Sequence, residues 1–243
     1  MHFLTPGIVL SVRSHGEHGA IVRALTPEEG VQPGFVRGGR SRRLRPLLMP
    51  GNLLQCTYRA RTEEQLAQLS VELERSRAPL HAEPLAAAAI EWSTALAAAT
   101  LPEGQPYPRL FAMLDGLLSA IEAAPSAALW GAALVRYELL LLGELGFGLD
   151  LAECGATGMR ADLAYVSPRS GRAVSVEGAV GYEARLLPLP PFIAAGGLGD
   201  WEQIEQGLAL TGHFIARDLM IGRQAEALRA RERLVERLRR VTR

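Results

Sequence analysis

The chain contains no lysine; all 26 of its basic residues are arginine. That absence excludes a Gly-x-x-x-x-Gly-Lys phosphate loop, and with it a P-loop ATPase. Two cysteines, Cys56 and Cys154, are too few for a disulfide framework. The five histidines (2, 15, 18, 81 and 213) form neither a helical pair nor a His-Glu-x-x-His motif. No Gly-x-Ser-x-Gly elbow is present to hold a nucleophilic serine. Glu28 and Glu29 stand side by side in a turn, and His15 and His18 bracket Glu17 in another, where such side chains face water. Gly196-Gly-Leu-Gly199 runs into Asp200, the pattern of a loop ending on a helix N-cap. The expectation is a protein that is not an enzyme, with no catalytic residue, no cofactor and no metal.

Long uncharged apolar runs are missing as well. The Ala/Leu-rich stretch from Ala127 to Leu142 is broken by Arg136 and Glu138, which argues against a membrane span. Met1-His-Phe-Leu-Thr-Pro6 lacks a charged region followed by an apolar one, so no signal peptide is expected and the chain reads as cytoplasmic. With 48% hydrophobic and 21% charged residues over 243 positions, it can bury a core as one large domain or two ordinary ones.

Charge is present but unevenly spread beneath a net value of zero. Residues 1–61 carry nine arginines against three glutamates, a net +6, and residues 222–243 carry eight against three, a net +5, leaving −11 for the middle. Basic ends on an acidic body point to a polyanionic partner for the ends. The densest cluster is the loop around Gly34-Phe-Val-Arg-Gly-Gly-Arg-Ser-Arg-Arg-Leu-Arg-Pro46, which holds Arg37, Arg40, Arg42, Arg43 and Arg45 and no acid. It reads as a flexible loop between strands, suited to gripping phosphates or simply solvated. Arg13, Arg23, Arg59 and Arg61 are candidate neighbours, and Phe35 and Tyr58 are either base-stacking or core aromatics.

Ile8, Leu10 and Val12 alternate with Val9, Ser11 and Arg13, the period of a half-buried strand. Ala20–Leu25, Val31–Arg37, Asn52–Arg61 and Leu66–Leu73 supply four more strands, separated by Gly- and Pro-containing turns. Five short strands in under eighty residues suit a small closed barrel, either an OB-fold or an SH3-like one. From Ser76–His81 onward the pattern turns helical. Leu85–Ala99 follows Pro84 at N1, Leu110–Ala123 is amphipathic, and a nearly all-apolar helix opens after Ser126 and closes at Gly146. Residues 161–177 break the helical pattern as a hairpin, with Tyr165-Val166 and Val174–Val176 flanking a turn. Helices then follow over Asp200–Ile221 and, strongly basic, from Gln224 onward.

In this order and spacing, Gly7-Ile-Val-Leu10, the Gly16-Glu17 turn, Ile21-Val22, Leu25-Thr26, Gly38-Gly-Arg-Ser41 and Pro50-Gly-Asn-Leu53 resemble the N-terminal OB domain of the bacterial recombination mediator family RecO. Leu145–Cys154, Gly158 and Tyr165–Gly171 extend the resemblance over most of the chain. It implies an α+β protein with a five-stranded OB-fold barrel over 1–80. A mostly helical domain over 81–243 would carry the hairpin near 161–177 and a basic C-terminal helix. It further implies binding of single- and double-stranded DNA, strand annealing, and help in loading recombinase onto DNA coated by single-stranded DNA-binding protein. RecR and the acidic C-terminal tail of that coating protein are the implied partners. Arg136-Tyr-Glu-Leu-Leu-Leu-Leu-Gly143 resembles the helix that receives the tail, with Arg136 as its anchor; an internal ion pair or a snorkelling side chain is the other reading of Arg136. Some family members hold a four-cysteine zinc site near the hairpin. Here only Cys154 remains, and residues 155–185 contain no other cysteine or histidine, so the hairpin is expected to be held by packing without metal. An RNA-binding OB protein and a protein-only adaptor are the alternatives by function.

Overall fold

The computed structural model describes residues 2–62, 65–124, 126–222 and 227–241, which group into two compact units. The first unit runs to residue 122 and includes 229–237; the second takes 123–228 and the end of the last helix. Among the described residues no helix is long and apolar enough to cross a membrane.

Five strands open the first unit: β1 (His2–His15), β2 (Gly19–Thr26), β3 (Gly30–Val36), β4 (Leu53–Arg59) and β5 (Ala67–Arg75). They close into a barrel in the order β1-β2-β3-β5-β4, antiparallel throughout except for the β3–β5 contact that seals it. This closure through β3 and β5 settles the barrel as an OB-fold. β1 makes it possible by pairing with β4 through its first half and with β2 through its second, turning at a bulge between Val9 and Ser11. Val9, Val22, Val36, Leu54, Cys56, Tyr58 and Leu69 fill the interior. Burial along β1 departs from the expected alternation. Ile8, Val9 and Leu10 are all buried while Val12 is 39% exposed. The bulge shifts the register, and α1 (Pro84–Thr100) packs on the outside of β1, so both faces of the strand are covered there.

Arg77, just past β5, is 0% exposed and fixes the barrel to α2 (Pro108–Ala123). Its guanidinium donates to the Gly51 carbonyl at 2.7 Å, to Asp115 at 2.7 Å and to the Ser119 hydroxyl at 3.3 Å. Its backbone N–H donates to the Asn52 side chain at 2.7 Å. An arginine can be buried only if such partners replace water.

The second unit is built on α3 (Ala127–Glu144), which is apolar on nearly every side. A three-stranded sheet of β6 (Leu163–Val166), β7 (Ala173–Ser175) and β8 (Leu187–Pro188) follows, then α4 (Pro191–Ala195) and α5 (Trp201–Phe214). α3 and α5 approach closely because Gly131 faces Ile204 and Gly207 faces Val135, where an added Cβ would stand 2.8 Å and 3.1 Å from those side chains. Buried Glu138 of α3 accepts a hydrogen bond from Thr211 of α5. Asp200 caps α5 through the Gln203 N–H at 2.8 Å, whereas Ser126 occupies the N-cap position of α3 without a side-chain bond. The expected hairpin gains a third strand, β8, whose two residues include a proline and carry no periodic signal. The expected helix over 200–221 ends at Phe214 and passes into a π-helical turn, Ile215–Leu219. The basic helix is α6 (Leu228–Val241); residues 223–226, where its start was expected, lie outside the described residues.

Replacing Asp115 by alanine strands the Arg77 charge in the interior. Because Asp115 is itself about one-third exposed, the loss should sit at the low end for a broken buried pair, about 3 kcal/mol. Urea denaturation of Asp115→Ala against the parent checks this; a loss below about 1 kcal/mol, the scale of a surface pair, would reduce Arg77–Asp115 to an ordinary surface contact.

Candidate nucleic-acid interface

Residues 37–51 leave β3 as a series of turns between β3 and β4. Charged and apolar residues divide between its two sides. Arg37, Arg40, Arg42, Arg43 and Arg45 are exposed, while Leu48 is buried in the barrel core with Leu44 and Leu47 packed beside it. The Ser41 hydroxyl accepts from the Leu44 N–H at 3.2 Å, and the Ser41 carbonyl accepts from the Arg45 N–H at 2.9 Å. A side chain at Gly39 would begin 2.7 Å from the Ala20 Cβ, so only glycine lets the segment lie this close to β2. Asn52 donates to the carbonyls of Pro46 and Leu47, both at 2.9 Å. Arg40 donates from its backbone to the His18 carbonyl and from its side chain to the Glu17 carbonyl. Among the described residues, no carboxylate pairs with any of the five loop arginines.

Strand register places two of the other candidates on one outward row. Arg13 pairs with Ile21, Ile21 with Phe35, Phe35 with Gln68, and Gln68 with Arg59. Paired residues point to the same side of a sheet, so Arg13 and Arg59 end an outward row that crosses all five strands, about 19 Å along the curved barrel wall, with half-buried Phe35 at its middle. Arg61 lies exposed beyond the end of β4. Arg23 is otherwise engaged, donating to Glu103 at 2.9 Å and to the Ala98 carbonyl at 2.6 Å. Tyr58 is core: it is 0% exposed, stacks on Phe3 with ring centroids 4.9 Å apart, and burial raises its phenol pKa.

The C-terminal arginines do not form a free row. Arg233 pairs with Glu91, Arg237 donates to the Pro84 carbonyl, Arg239 pairs with Glu205, and Arg231 stacks over Trp92. Arg223 and Arg243 lie outside the described residues. In the second unit, Arg136 is half-buried on α3 and donates to the carbonyls of Phe192 and Gly197, with its guanidinium 5.5 Å from the Phe192 ring centroid. No carboxylate of the described residues pairs with it, so an internal ion pair does not describe it, and its contact with Gly197 lies at the exposed side.

Sequence reasoning missed Arg77 and Asp115, and it passed over Asn52 as a structural link. One signal was available: Asn52 is the only asparagine in the chain.

Cys154 is buried beneath the small sheet, and its sulfur accepts hydrogen bonds from the Ser175 N–H at 3.2 Å, the Ser175 hydroxyl at 3.4 Å and the Thr157 N–H at 3.4 Å. It packs with Val174 and Ala179, so hydrogen bonds join packing in holding the hairpin. Among the described residues, no group of three or more His, Cys, Asp or Glu is placed to hold a metal ion.

An OB barrel bearing a braced arginine loop, joined to a helical unit with a small sheet, defines the class: an OB-fold protein with a cationic barrel surface. Comparison with known sequences narrows it. Residues 1–77 match the family described as Recombination protein O N terminal, and residues 81–225 match Recombination protein O C terminal. The DNA repair protein RecO of Rhodospirillum centenum is 46% identical over 98% of this chain and 95% of its own length. That of Gluconacetobacter diazotrophicus is 45% identical over 97% and 94%. A Cereibacter sphaeroides RecO is 42% identical over 95% and 96%. The chain belongs to the RecO family of DNA repair proteins.

The Cys154 environment carries a pH signature. Burial opposes ionisation, but the hydrogen bonds from Ser175 and Thr157 outweigh it and bring the thiol from its ordinary 9.0 down to about 6. A group more acidic when folded contributes stability that is full above its unfolded pKa and is lost as pH falls through the folded one. Thermal melts at matched ionic strength should therefore show the parent gaining on Cys154→Ala between pH 6 and 9; a constant difference would mean the thiol stays protonated.

Proposed function

We propose that this protein is a recombination mediator that binds single- and double-stranded DNA through its barrel, anneals complementary strands, and helps load recombinase onto DNA coated by single-stranded DNA-binding protein. Residues 1–80 serve as the DNA-binding domain, and 81–243 as the helical domain that meets protein partners. The most direct support is the arginine loop: five outward guanidiniums on a braced segment, with no paired acid among the described residues. Arg37, Arg40, Arg42, Arg43 and Arg45 form the primary contact set. Arg13 and Arg59 extend it along the barrel row and Arg61 lies beyond, while Arg23 would first have to leave Glu103. Phe35, half-buried at the centre of that row, is the aromatic placed to stack on a base.

Annealing needs no covalent step. Arginines neutralise phosphates on two strands and lower their mutual repulsion, and base pairing then supplies the driving force. The protein acts in the cytoplasm, at the nucleoid, with RecR and the acidic C-terminal tail of the coating protein as partners. Arg136 anchors that tail. Its charge is held by carbonyl dipoles and an aromatic ring and is not cancelled by a carboxylate of the described residues, so it retains attraction for a terminal carboxylate. The net −11 of the middle segment opposes an acidic peptide, but salt screens that field beyond about 8–10 Å, which leaves the charge of Arg136 itself in control at short range.

If about four phosphates are neutralised, log affinity should fall against log salt with a slope of roughly −3 to −4. Reversing Arg40, Arg42 and Arg43 to glutamate should weaken binding by at least about tenfold and flatten that slope while the domain stays folded. Fluorescence anisotropy with a labelled oligonucleotide measures both; an unchanged affinity removes the loop from the interface. Strand annealing with and without the coating protein then tests the mediator role itself.

Arg136→Ala should weaken binding of a labelled tail peptide while leaving binding to naked DNA nearly intact. Equal peptide affinities for parent and variant would leave Arg136 a tie between α3 and the segment from Phe192 to Gly197 and nothing more.

A further inference from the structure

Two turns of the second unit face each other across Cys154. One spans Cys154-Gly-Ala-Thr157, closed by the Gly158 N–H on the Cys154 carbonyl at 2.9 Å. The other spans Ser175-Val-Glu-Gly178 at the end of β7, where the Gly178 N–H reaches the Ser175 hydroxyl at 3.1 Å. Each offers its first and fourth residues to the same spot. The Ser175 hydroxyl lies 3.4 Å from the Cys154 sulfur and 3.4 Å from the Thr157 hydroxyl. A Cβ placed on Gly178 would stand 3.0 Å from that sulfur and 3.3 Å from the Ser175 hydroxyl. Two x-x-spaced pairs converging from separate turns are the arrangement of a closed tetrahedral metal site.

These residues do not fit a metal. One thiol, two neutral hydroxyls and a glycine supply a single strong ligand where a structural zinc takes four. The contacts are also too short. Four sulfurs about 2.3 Å from a zinc ion would stand about 3.8 Å apart, and here the Ser175 hydroxyl stands 3.4 Å from both the Cys154 sulfur and the Thr157 hydroxyl. The Ser175 N–H, the Ser175 hydroxyl and the Thr157 N–H point at the sulfur, where a metal site would direct a cation.

We infer that positions 154, 157, 175 and 178 form a four-point metal cradle from which the ion has been replaced by hydrogen bonds to one sulfur, so that the sheet folds without metal and the cradle becomes a tetrahedral zinc or cobalt site once thiols are restored at its other three corners. The replacement works because both arrangements join the same two turns through one centre. An ion bonds outward to four ligands, whereas here one sulfur accepts from both turns at once. Gly178 fits the contracted form, since a side chain there would press on Cys154 unless the turns moved apart by a few tenths of an ångström.

Cobalt(II) is the probe. The parent protein, titrated after treatment with chelator, should take up none and keep its melting temperature. Full-length Thr157→Cys/Ser175→Cys/Gly178→Cys should bind one equivalent, with the strong visible absorption of a tetrahedral thiolate site and a raised melting temperature. Uptake of one equivalent by the parent, abolished in Cys154→Ala, would overturn the inference, as would a folded triple variant that binds none. If the triple variant does not fold with or without cobalt, the native cluster decides. Cys154→Ala and Ser175→Ala should each lower the melting temperature of the parent, and the double variant should fall by clearly less than the two shifts combined. Additive shifts would show that Cys154 and Ser175 do not act through one centre, and the inference would fail.

Discussion

A buried arginine governs the geometry of the first unit. Arg77 has no water to solvate it, so Asp115, the Gly51 carbonyl and Ser119 must stand where its guanidinium can reach them. That fixes α2 to the turn that leads into β4. The same residue holds Asn52 through its backbone N–H, and Asn52 holds the far end of the arginine loop through two carbonyls. A chain of short hydrogen bonds therefore runs from a helix carboxylate to the base of the cationic surface. Neutral apolar substitutes could fill the space as well, but they could not direct three elements to one point.

Charge in this protein divides by partner more than by position in the chain. The loop arginines face water with no acid of the described residues against them, whereas Arg23, Arg75, Arg172 and, in α6, Arg233 and Arg239 pair with carboxylates of their own units. The basic C-terminal stretch, +5 on paper, thus spends much of its charge on Glu91, Glu205 and carbonyl oxygens. Exposed pairs of this kind contribute little to stability. Their effect is to lower the cationic field at that end relative to the loop.

The second unit solves the opposite problem, holding short strands together where apolar side chains are few. Val174, Ala179 and Cys154 make a small cluster, and the Cys154 sulfur gathers donors from two turns. β8, only two residues long, completes the sheet. In the same unit, Arg136 donates to the carbonyls of Phe192 in α4 and Gly197 just past it, a partner type that no residue pattern announces.

Periodicity and punctuation were enough to locate the five barrel strands, α1 behind its proline, amphipathic α2, apolar α3 and the β6–β7 hairpin, because each depends on local alternation, a cap or a breaker. The arginine cluster was equally legible, since five like charges without an acid cannot be buried and must lie at the surface. Other features needed the fold. Ile8 and Leu10 are covered from outside by α1, which overrides the alternation of β1. Arg13 and Arg59, 46 positions apart, share a row only because the barrel closes through β3 and β5. Arg23 and Arg77 read like any other arginine until Glu103 and Asp115 are brought to them from 80 and 38 residues away. Local sequence fixes which residues must leave or seek water; which partner meets each one is decided by chain closure over distances that no window of sequence contains.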